Sequence, residues 1–493
     1  MRQIEEKELL QKLQDVNPHW KMGTIDQDIR SYRKRGYFNL LFPLVEQTNV
    51  QRAVILMGPR RVGKTVLLQH TIQELLQAKI QTTKILYVSL DTPLFQGLSL
   101  ERLLTLYKKI HNFNTLEGTF IIFDEIQYHG EWDRHLKALV DENRNTKFIA
   151  SGSAAAALSR SSKESGAGRF TDFLLPPLTF SEYVDLLDLR SSLFHSKTTG
   201  TEPHARPLDI EKLNEEFIKY LNFGGYPEAI YKPEIQKNPE RFVRSDIIEK
   251  VLLRDLPSLY GIQDIQELTR LFNTLSFQTG NEVTLEDLSQ GSGVSKNTIK
   301  RYIEYLEAAF LLKTVNRVDY SGKTFRRANY FKVYLTTPSI YSAIFGLVST
   351  ESEHIGSLVE TAIFDQYMHD PGFFQRLHYA RDQRGAEEVD IVGLASNLSI
   401  DFVVEVKWSD RAFDRVNEEL RGLVRFCERV KLASSVVTTK TKDGSQRVRN
   451  VLLQFIPSAM ACFIIGEAIL KSKSPNKQNV WLPGTDSNRR PAG

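Results

Sequence analysis

The sequence predicts an α/β protein in which a parallel sheet comes first, a helical region follows, and a second α/β domain comes last. Short apolar segments alternate with helical patterns between residues 53 and 151, as expected for strands and crossover helices around a parallel sheet. A glycine-rich turn separates the first of these strands from its helix. From about Ser357 the pattern returns to mixed helices and strands after a long helical stretch.

The length and composition agree with several folded domains. The chain has 493 residues, which corresponds to about three domains at roughly 100–200 residues each. Hydrophobic residues make up 41% of the chain, which is enough to form ordinary cores. The net charge is +4, from 64 basic and 60 acidic residues. Any contact with nucleic acid must therefore come from a local basic face.

Cysteine usage and hydropathy predict a cytoplasmic protein that has no membrane partner. Cys427 and Cys462 are the two cysteines of the chain, so a disulfide framework is not indicated. Residues Met1–Leu10 carry charges of both signs and lack the apolar segment of a signal peptide. The longest apolar run, near Ala459–Leu470, contains Glu467 and is too short to span a membrane.

The first α/β part is predicted element by element from its hydrophobic pattern. Four apolar runs are typical of buried parallel strands: Ala53–Met57, Ile85–Leu90, Thr119–Asp124 and Lys147–Ser151. Three segments between them have helical spacing: Lys64–Leu76, Leu98–His111 and Glu131–Arg144.

Shifts in composition predict six parts of the chain. They are a helical arm at 1–45, a parallel α/β core at 46–185, a helical connector at 186–280, a region of helices and strands at 281–350, a second α/β domain at 351–472 and a disordered tail at 473–493. The serine-, threonine- and proline-rich stretch Arg190–Pro207 is predicted to be an exposed loop. The last ten residues resemble tails that arise when a reading frame runs into a tRNA gene.

The glycine-rich turn has the spacing of a Walker A motif, the loop of P-loop NTPases. Its residues are Gly58, Pro59, Arg60, Arg61, Val62, Gly63, Lys64 and Thr65. Glycines let the backbone wrap a phosphate, and the amides of the following helix face its negative charge. We expect Lys64 to reach the β and γ phosphates of ATP and Thr65 to help hold Mg²⁺.

The third strand ends in two carboxylates, as in a Walker B motif. Asp124 and Glu125 follow the apolar residues Phe120–Phe123. A parallel strand carries such residues to the carboxyl edge of the sheet, beside the Walker A loop. We therefore expect Asp124 to hold Mg²⁺ and Glu125 to act as the general base for the attacking water.

Two further residues are candidates for the ATPase site, and both have a simpler explanation. Ser151 ends the fourth predicted strand and is either a sensor of the γ-phosphate or part of a turn. Arg169 precedes another apolar strand and is either an arginine finger that reaches the ATP of a neighbouring copy or a surface arginine. The first interpretation of Arg169 predicts a homo-oligomer.

These motifs resemble the predicted AAA+-type ATPases of bacteria and archaea that carry an uncharacterised C-terminal domain. The resemblance covers about residues 30–470. It is carried by the two Walker motifs and by further segments: Asp124–Gln127, Ser151–Ser153, Gly168–Arg169, Leu175–Tyr183, Gly224–Glu228, Arg254–Leu256, Glu388–Asp390 and Glu405–Lys407. It implies ATP binding and hydrolysis, and little chemistry beyond ATP.

Residues 284–317 have the outline of a helix-turn-helix. A first helical segment at Thr284–Gln290 is followed by a glycine turn, and Ser295 is placed to cap a second helix at Lys296–Ala308. Near the start of that helix, where a recognition helix contacts DNA, lie Lys296, Asn297, Lys300 and Arg301. Val315–Tyr320 and Thr324–Val333 would form a wing. The alternative is a packing module that touches no DNA.

A second constellation of charged residues lies near the C-terminus. Glu360 falls in a helix, Asp390 in a strand, and Glu405 and Lys407 two residues apart in the predicted strand Phe402–Lys407. The pattern resembles the PD-(D/E)xK restriction-endonuclease fold, in which the three carboxylates bind Mg²⁺ and the lysine orients the nucleophile. Val389 stands where that family usually has proline. An ordinary exposed strand face, or the same fold with an unused site, are the alternatives.

Three functions follow from these residues. The first is an ATP-driven protein that acts on DNA through the winged helix and the nuclease-like domain. The second is a regulatory ATPase switch that binds a protein partner and cuts nothing. The third is a magnesium-dependent nuclease in which ATP is allosteric.

Overall fold

The structure is a computed structural model, and it describes residues 5–153, 168–195, 206–323, 330–381 and 387–473. The chain divides into two compact units, Met1–Pro176 and Pro177–Gly493. The tail predicted at 473–493 lies almost wholly outside the described residues. No helix in the described ranges is long and apolar enough to cross a membrane.

The first unit is built on a sheet of five parallel strands. The strands are β1 (Ala53–Met57), β2 (Ile85–Ser89), β3 (Phe120–Asp124), β4 (Lys147–Gly152) and β5 (Phe170–Leu174). Their order across the sheet is β2-β3-β4-β1-β5. Strands β1, β3 and β4 are buried along their whole length, because helices cover both faces of a parallel sheet. The apolar runs in the sequence correspond to this burial.

The helices of the first unit follow the predicted alternation. The described segments are Glu6–Asp15, His19–Met22, Gln27–Ser31, Phe38–Glu46, Lys64–Gln77, Leu100–His111 and Trp132–Glu142, with short 3-10 turns at Thr82–Lys84 and Ile126–Tyr128. Ile55, Phe123 and Phe148 lie in one buried apolar cluster on the sheet. The strand and helix predictions for residues 53–151 are therefore confirmed, with shifts of one or two residues at their ends.

The second unit contains a mixed sheet of nine strands. They are β6 (Glu282–Thr284), β7 (Leu312–Val318), β8 (Tyr330–Leu335), β9 (Leu377–Arg381), β10 (Glu388–Leu394), β11 (Ile400–Glu405), β12 (Ser434–Thr439), β13 (Gly444–Val448) and β14 (Val451–Pro457). Their order is β13-β14-β12-β11-β10-β9-β7-β8-β6.

Helices occupy the remainder of the described second unit. The α-helices are Phe180–Leu186, Arg190–Leu193, Ile210–Phe223, Pro227–Tyr231, Pro233–Lys237, Leu256–Tyr260, Ile265–Phe277, Leu285–Ser292, Lys296–Ala308, Ser339–Phe345, Ile355–Met368, Pro371–Phe374, Arg411–Asp414, Val416–Glu419, Arg421–Val430 and Ser458–Ser472. Glu240–Glu249 and Val251–Asp255 are π-helical.

Two halves of the nine-stranded sheet are joined by one parallel pairing. Strands β6, β7 and β8 pair antiparallel and accompany the helices Leu285–Ser292 and Lys296–Ala308. Strands β9, β10 and β11 form an antiparallel meander, and β12 then runs parallel to β11 after the helix Arg421–Val430. Strand β7 pairs with β9 through Arg317 and Val318, so both halves share one sheet.

Two local predictions differ from the structure. The stretch Arg190–Pro207 is not simply an exposed loop, because Arg190–Leu193 is helical and Leu193 and Phe194 are buried in the core. Its residues 196–205 lie outside the described part of the chain. The strand predicted at Phe402–Lys407 ends at Glu405, so Lys407 lies beyond the strand. Of the predicted wing, residues 324–329 are not described.

Truncating the central strand of the first unit should destabilise it strongly. Ile55 is fully buried on β1, between β4 and β5. We expect Ile55→Ala to lower the free energy of unfolding by about 2–5 kcal/mol, because the side chain leaves a cavity that the sheet cannot close. Urea unfolding of the full chain measures this change. Val50→Ala, at an exposed position, is the control and should stay within about 0.5 kcal/mol. A loss below 1 kcal/mol at Ile55 would contradict the buried position.

Candidate nucleotide site

The Walker A loop connects β1 to the helix Lys64–Gln77. Gly63 precedes that helix with φ 92°, and Arg61 also has a positive φ of 61°. Gly63 has no side chain that could cap the helix, so the first backbone amides of the helix can donate hydrogen bonds to another acceptor. The buried Lys64 ammonium donates to the loop carbonyls of Gly58 at 3.1 Å and Pro59 at 2.8 Å. The Lys64 side chain therefore satisfies two carbonyl groups of the Walker A loop.

Two features connect the loop with the rest of the first unit, namely a close backbone approach at Gly58 and the hydrogen bonds of Arg35. A Cβ atom added to Gly58 would lie 2.2 Å from the carbonyl oxygen of Leu175, which follows β5. Only glycine fits there without a shift of the backbone. The buried Arg35 guanidinium donates to the carbonyl oxygens of Val62 at 2.9 Å and Pro176 at 3.0 Å. The N-terminal arm thus braces the loop.

The Asp124 carboxylate is the centre of the site. Its Oδ2 accepts hydrogen bonds from the Thr65 hydroxyl at 2.7 Å and the Tyr87 hydroxyl at 2.8 Å. Its Oδ1 accepts from the Ser151 hydroxyl and from the Glu125 amide at 3.1 Å. Burial and the charge of Asp124 raise the pKa of Tyr87, so this tyrosine remains a donor. Strands β2, β3 and β4 and the first residues of the loop helix therefore converge on one carboxylate.

Glu125 is held in an unusual position beside Asp124. Its φ and ψ are 56° and 48°, a left-handed conformation that costs a non-glycine residue on the order of 1–3 kcal/mol. The Gln127 side-chain amide donates to the Glu125 carboxylate and accepts from the Ser153 amide at 3.1 Å. Gln127 therefore ties the expected general base to the end of β4.

Ser151 and Arg169 lie in different surroundings. Ser151 is buried and bonded to Asp124, so it is close to the magnesium position that the sequence predicts. Arg169 precedes β5 at the amino end of the sheet and forms an ion pair with Asp141. The Walker A loop follows the carboxyl end of β1, about 17 Å away along a five-residue strand. Arg169 is thus remote from the site of its own chain.

The donor and acceptor set suits a nucleotide phosphate and a hard cation. Backbone amides and the Lys64 ammonium supply positive charge at the loop. The hydroxyl of Thr65 and the carboxylate of Asp124 are oxygen ligands of the type that Mg²⁺ prefers, and one 2.7 Å hydrogen bond joins them. Sequence reasoning found these residues and missed Tyr87, Gln127 and Arg35. Gln127 belongs to the Asp124–Gln127 segment that carries the family resemblance, so the sequence contained a signal for it. Tyr87 and Arg35 contact the site through residues that are distant in the sequence, so no local pattern predicts their roles.

The C-terminal constellation is brought together, with an additional lysine inside it. Lys407 donates to Glu405 at 2.7 Å, and the Asp390 carboxylate accepts from the Val406 amide at 2.8 Å. Lys332 of β8 forms ion pairs with Glu360 at 3.0 Å, Glu388 at 3.3 Å and Asp390 at 3.4 Å. The sequence interpretation placed Lys332 only in a wing strand and missed this role.

Burial and mutual repulsion dominate the electrostatics of these carboxylates. Burial and the Asp390 charge raise the pKa of Glu360 to about 7 and that of Glu405 to about 8. Lys332 is 2% exposed, and its pKa is raised by the carboxylates although burial lowers it. In the part of the chain that the structure describes, no three His, Cys, Asp or Glu residues are arranged to hold a metal ion. Of the predicted magnesium set Glu360, Asp390 and Glu405, the first two carboxylates form ion pairs with the Lys332 ammonium group.

Two helices separated by a glycine turn occupy the segment that the sequence predicts to be a helix-turn-helix. Leu285–Ser292 ends at Gly293, whose φ of 74° makes the turn, and Ser295 caps the second helix by accepting from the Thr298 amide at 3.2 Å. Lys300 and Arg301 are exposed on that helix, and Lys296 pairs with Glu286.

Two protein-family models match parts of the chain. A model described as an AAA domain matches residues 50–184, and a model described as a domain of unknown function (DUF8612) matches residues 214–351. The first match coincides with the five-stranded parallel sheet and the Walker motifs. Together these findings support a P-loop ATPase domain of the AAA+ type, which implies nucleotide binding.

Relatives in a bacterium and an archaeon extend beyond this domain. An uncharacterized protein of Haemophilus influenzae is 27% identical over 305 residues, which are 59% of this chain and 69% of the relative. An uncharacterized protein of Methanocaldococcus jannaschii is 25% identical over 426 residues, 82% of this chain and 85% of the relative. Their names assign no activity.

Two solved structures are similar at low scores. The Aeropyrum pernix Orc1 protein, in complex with DNA, has a TM-score of 0.32 and 13% identity, and the match covers 63% of this chain and 92% of that one. Cdc6p of Pyrobaculum aerophilum has a TM-score of 0.29 and 14% identity, with 66% and 98% covered. At these TM-scores the two solved structures add nothing to the description of the fold that the strand order of this chain gives.

Replacing Gly58 should disable nucleotide binding without unfolding the protein. In Gly58→Ala the new methyl group meets the Leu175 carbonyl, so the loop must move away from β5. We expect the affinity for a fluorescent ATP analogue to fall at least ~10-fold, because the phosphate amides lose their arrangement. Gly130→Ala is the control, since a Cβ there has open space. Equal binding by both variants would show that the loop does not need this close approach.

Proposed function

We propose that this protein binds ATP with Mg²⁺ and hydrolyses it at the site centred on Asp124. The observation that carries the proposal is the hydrogen bond between Thr65 and Asp124, which brings the Walker A hydroxyl and the Walker B carboxylate within 2.7 Å. Both residues are then ready to hold one cation. The match to an AAA domain at residues 50–184 supports the same activity.

Each residue of the site has a distinct task in this proposal. Lys64 releases the loop carbonyls and binds the β and γ phosphates. Thr65 and Asp124 hold Mg²⁺, which neutralises charge on the phosphates when bound. Glu125 accepts a proton from the attacking water. Gln127 positions Glu125, and Ser151 keeps Asp124 oriented from β4.

A homo-oligomer is proposed from the position of Arg169. This residue lies at the amino edge of the sheet, far from its own Walker A loop. We propose that it acts on the ATP of another copy of the chain, where a cation would stabilise charge in the transition state. Its ion pair with the exposed Asp141 would have to break in that assembly.

DNA is the proposed partner of the second helix of the helix-turn-helix. Lys300 and Arg301 are exposed near the start of Lys296–Ala308, and β7 and β8 form a hairpin beside it, as in a winged helix. A basic helix start of this kind contacts phosphates and base edges. We propose the cytoplasm as the location, because Cys427 and Cys462 are buried and unpaired.

A regulatory ATPase that binds a protein partner is the second candidate. The segment from the helix Ile355–Met368 through β12 has the order helix, three antiparallel strands, helix and parallel strand, which supports a nuclease-like fold. Lys332 forms ion pairs with Glu360 and Asp390 of that region, an observation that favours a site which does not cut DNA in this state. Here the fold would serve as a docking platform.

Removing the proposed general base should stop turnover and retain binding. We expect Glu125→Gln to lower phosphate release by about 100-fold or more, since a positioned base contributes about 10²–10⁴-fold. Phosphate release is measured with and without duplex DNA, and DNA should stimulate the wild type but not Glu125→Gln. Glu131→Gln, which removes an exposed ion pair with Arg134, is the control. If duplex DNA does not change the rate of phosphate release, the result favours the regulatory ATPase that binds a protein partner. If Glu125→Gln releases phosphate as fast as the wild type, the proposed hydrolysis site is refuted.

Removing the basic residues of the second helix should weaken DNA binding and its dependence on salt. Lys300→Ala/Arg301→Ala should reduce the slope of log affinity against log salt concentration by about 1–2, because each phosphate contact releases about one counterion. Fluorescence anisotropy of a labelled duplex between low and physiological salt measures this slope. The control is Lys212→Ala, an exposed lysine on another helix. No binding by the wild type at low salt would reject the DNA role.

A further inference from the structure

The N-terminal helices lie beside an edge strand of the five-stranded sheet. Strand β2 is the first strand in the sheet order, and among the described strands it pairs with β3 alone. Backbone groups on the outer side of such a strand need other partners or water. Leu9 and Leu13 of the helix Glu6–Asp15 are buried in the apolar cluster on this sheet. The chain that leaves this helix is therefore held close to the outer edge of β2.

The Asn17 side chain pairs with β2 in the way that a neighbouring strand would. Its Oδ1 accepts from the Tyr87 amide at 2.7 Å, and its Nδ2 donates to the Tyr87 carbonyl at 2.8 Å. Nδ2 also donates to the Leu13 carbonyl at 2.8 Å, at the end of the first helix. Asn17 is fully buried, so a group of Tyr87 that lost this partner would be costly to leave unsatisfied. One side chain thus fixes both backbone groups of Tyr87.

Tyr87 connects this edge of the sheet with the Asp124 carboxylate. Its hydroxyl donates to Asp124 Oδ2 at 2.8 Å, and the same oxygen accepts from Thr65 at 2.7 Å. A tyrosine side chain is rigid and has few rotatable bonds, so the place of its hydroxyl follows the place of its backbone. Asn17 is therefore one residue removed from the oxygen that is expected to hold the cation.

We propose that Asn17 is a positioning residue for the Mg²⁺ site, and that it acts through Tyr87 on the Asp124 carboxylate. The inference rests on the proposed ATPase function, because it concerns the cation that Asp124 holds there. A donor that hydrogen-bonds a metal-binding carboxylate fixes its orientation, and loss of such a donor typically costs about 10–100-fold in metal affinity or activity. The N-terminal helices thereby contribute to cation binding from the outer edge of the sheet.

Trp20 offers a matched control on the same strand edge. Its Nε1 donates to the Ile85 carbonyl at 2.7 Å, two residues before Tyr87 along β2. His19 Nε2 lies 3.0 Å from the same carbonyl oxygen. Trp20→Phe therefore removes a hydrogen bond between the N-terminal helices and β2 and leaves the path through Tyr87 intact.

The test measures Mg²⁺ binding through the stability of the full chain. The protein is saturated with a non-hydrolysable ATP analogue, and its unfolding temperature is recorded as Mg²⁺ is added. The midpoint is the Mg²⁺ concentration that gives half of the added stabilisation. We expect Asn17→Ala and Tyr87→Phe each to raise this midpoint about 10-fold, while the stabilisation by the analogue without Mg²⁺ persists.

A double variant shows whether Asn17 acts through the tyrosine hydroxyl. The midpoint of Asn17→Ala/Tyr87→Phe should lie within about 2-fold of that of Tyr87→Phe, because the hydroxyl that Asn17 positions is already absent. Trp20→Phe should lower the unfolding temperature of the free protein and keep the wild-type midpoint. The proposal is overturned if Trp20→Phe raises the midpoint as much as Asn17→Ala, or if the two single effects multiply in the double variant.

The experiment remains decisive if Asn17→Ala does not fold. Tyr87→Phe then gives the answer, since it removes one hydroxyl and leaves the hydrogen bonds of the strand edge in place. A midpoint about 10-fold higher in Tyr87→Phe supports the proposal, and an unchanged midpoint overturns it. If neither the analogue nor Mg²⁺ stabilises the wild type, the proposed ATPase function is refuted, and this inference with it.

Discussion

The geometry of the first unit depends on how the buried Asp124 carboxylate is satisfied. A carboxylate removed from water is tolerated only when donors replace its hydration. Here those donors come from Thr65, Tyr87 and Ser151, on a helix and two different strands. They meet because β3 lies between β2 and β4 and all of these strands end at one edge. The strand order therefore determines which donors reach the Asp124 carboxylate.

The second unit also contains buried carboxylates, and there an ammonium group replaces the hydroxyl donors that surround Asp124. The buried carboxylates of Glu360 and Asp390 form ion pairs with Lys332, which lies on the hairpin of β7 and β8. The parallel pairing of β7 with β9 makes this possible, since it extends the meander sheet into that hairpin. The hairpin that carries Lys332 and the strands that carry Asp390 and Glu405 thus belong to one sheet.

Local pattern was sufficient to predict the first unit and its motifs. The strands around Ile55 and Phe123 are buried on both faces, so their sequences are continuously apolar, and the Walker residues lie next to them in the chain. The role of Lys332 was not predictable, because its partners Glu360 and Asp390 are 28 and 58 residues away and meet it only through sheet pairing. Leu193 and Phe194 were assigned to a loop because serine and threonine surround them, although the core buries both.

The most direct test of the central claim is phosphate release by Asp124→Asn as a function of Mg²⁺ concentration. The account predicts a loss of about 100-fold or more that added Mg²⁺ does not restore, because a neutral amide replaces the charge that holds the cation. Binding of magnesium-free ATP should persist, since Lys64 and the loop amides remain. Wild-type turnover by Asp124→Asn would contradict the account, because the carboxylate would then serve only to connect the strands.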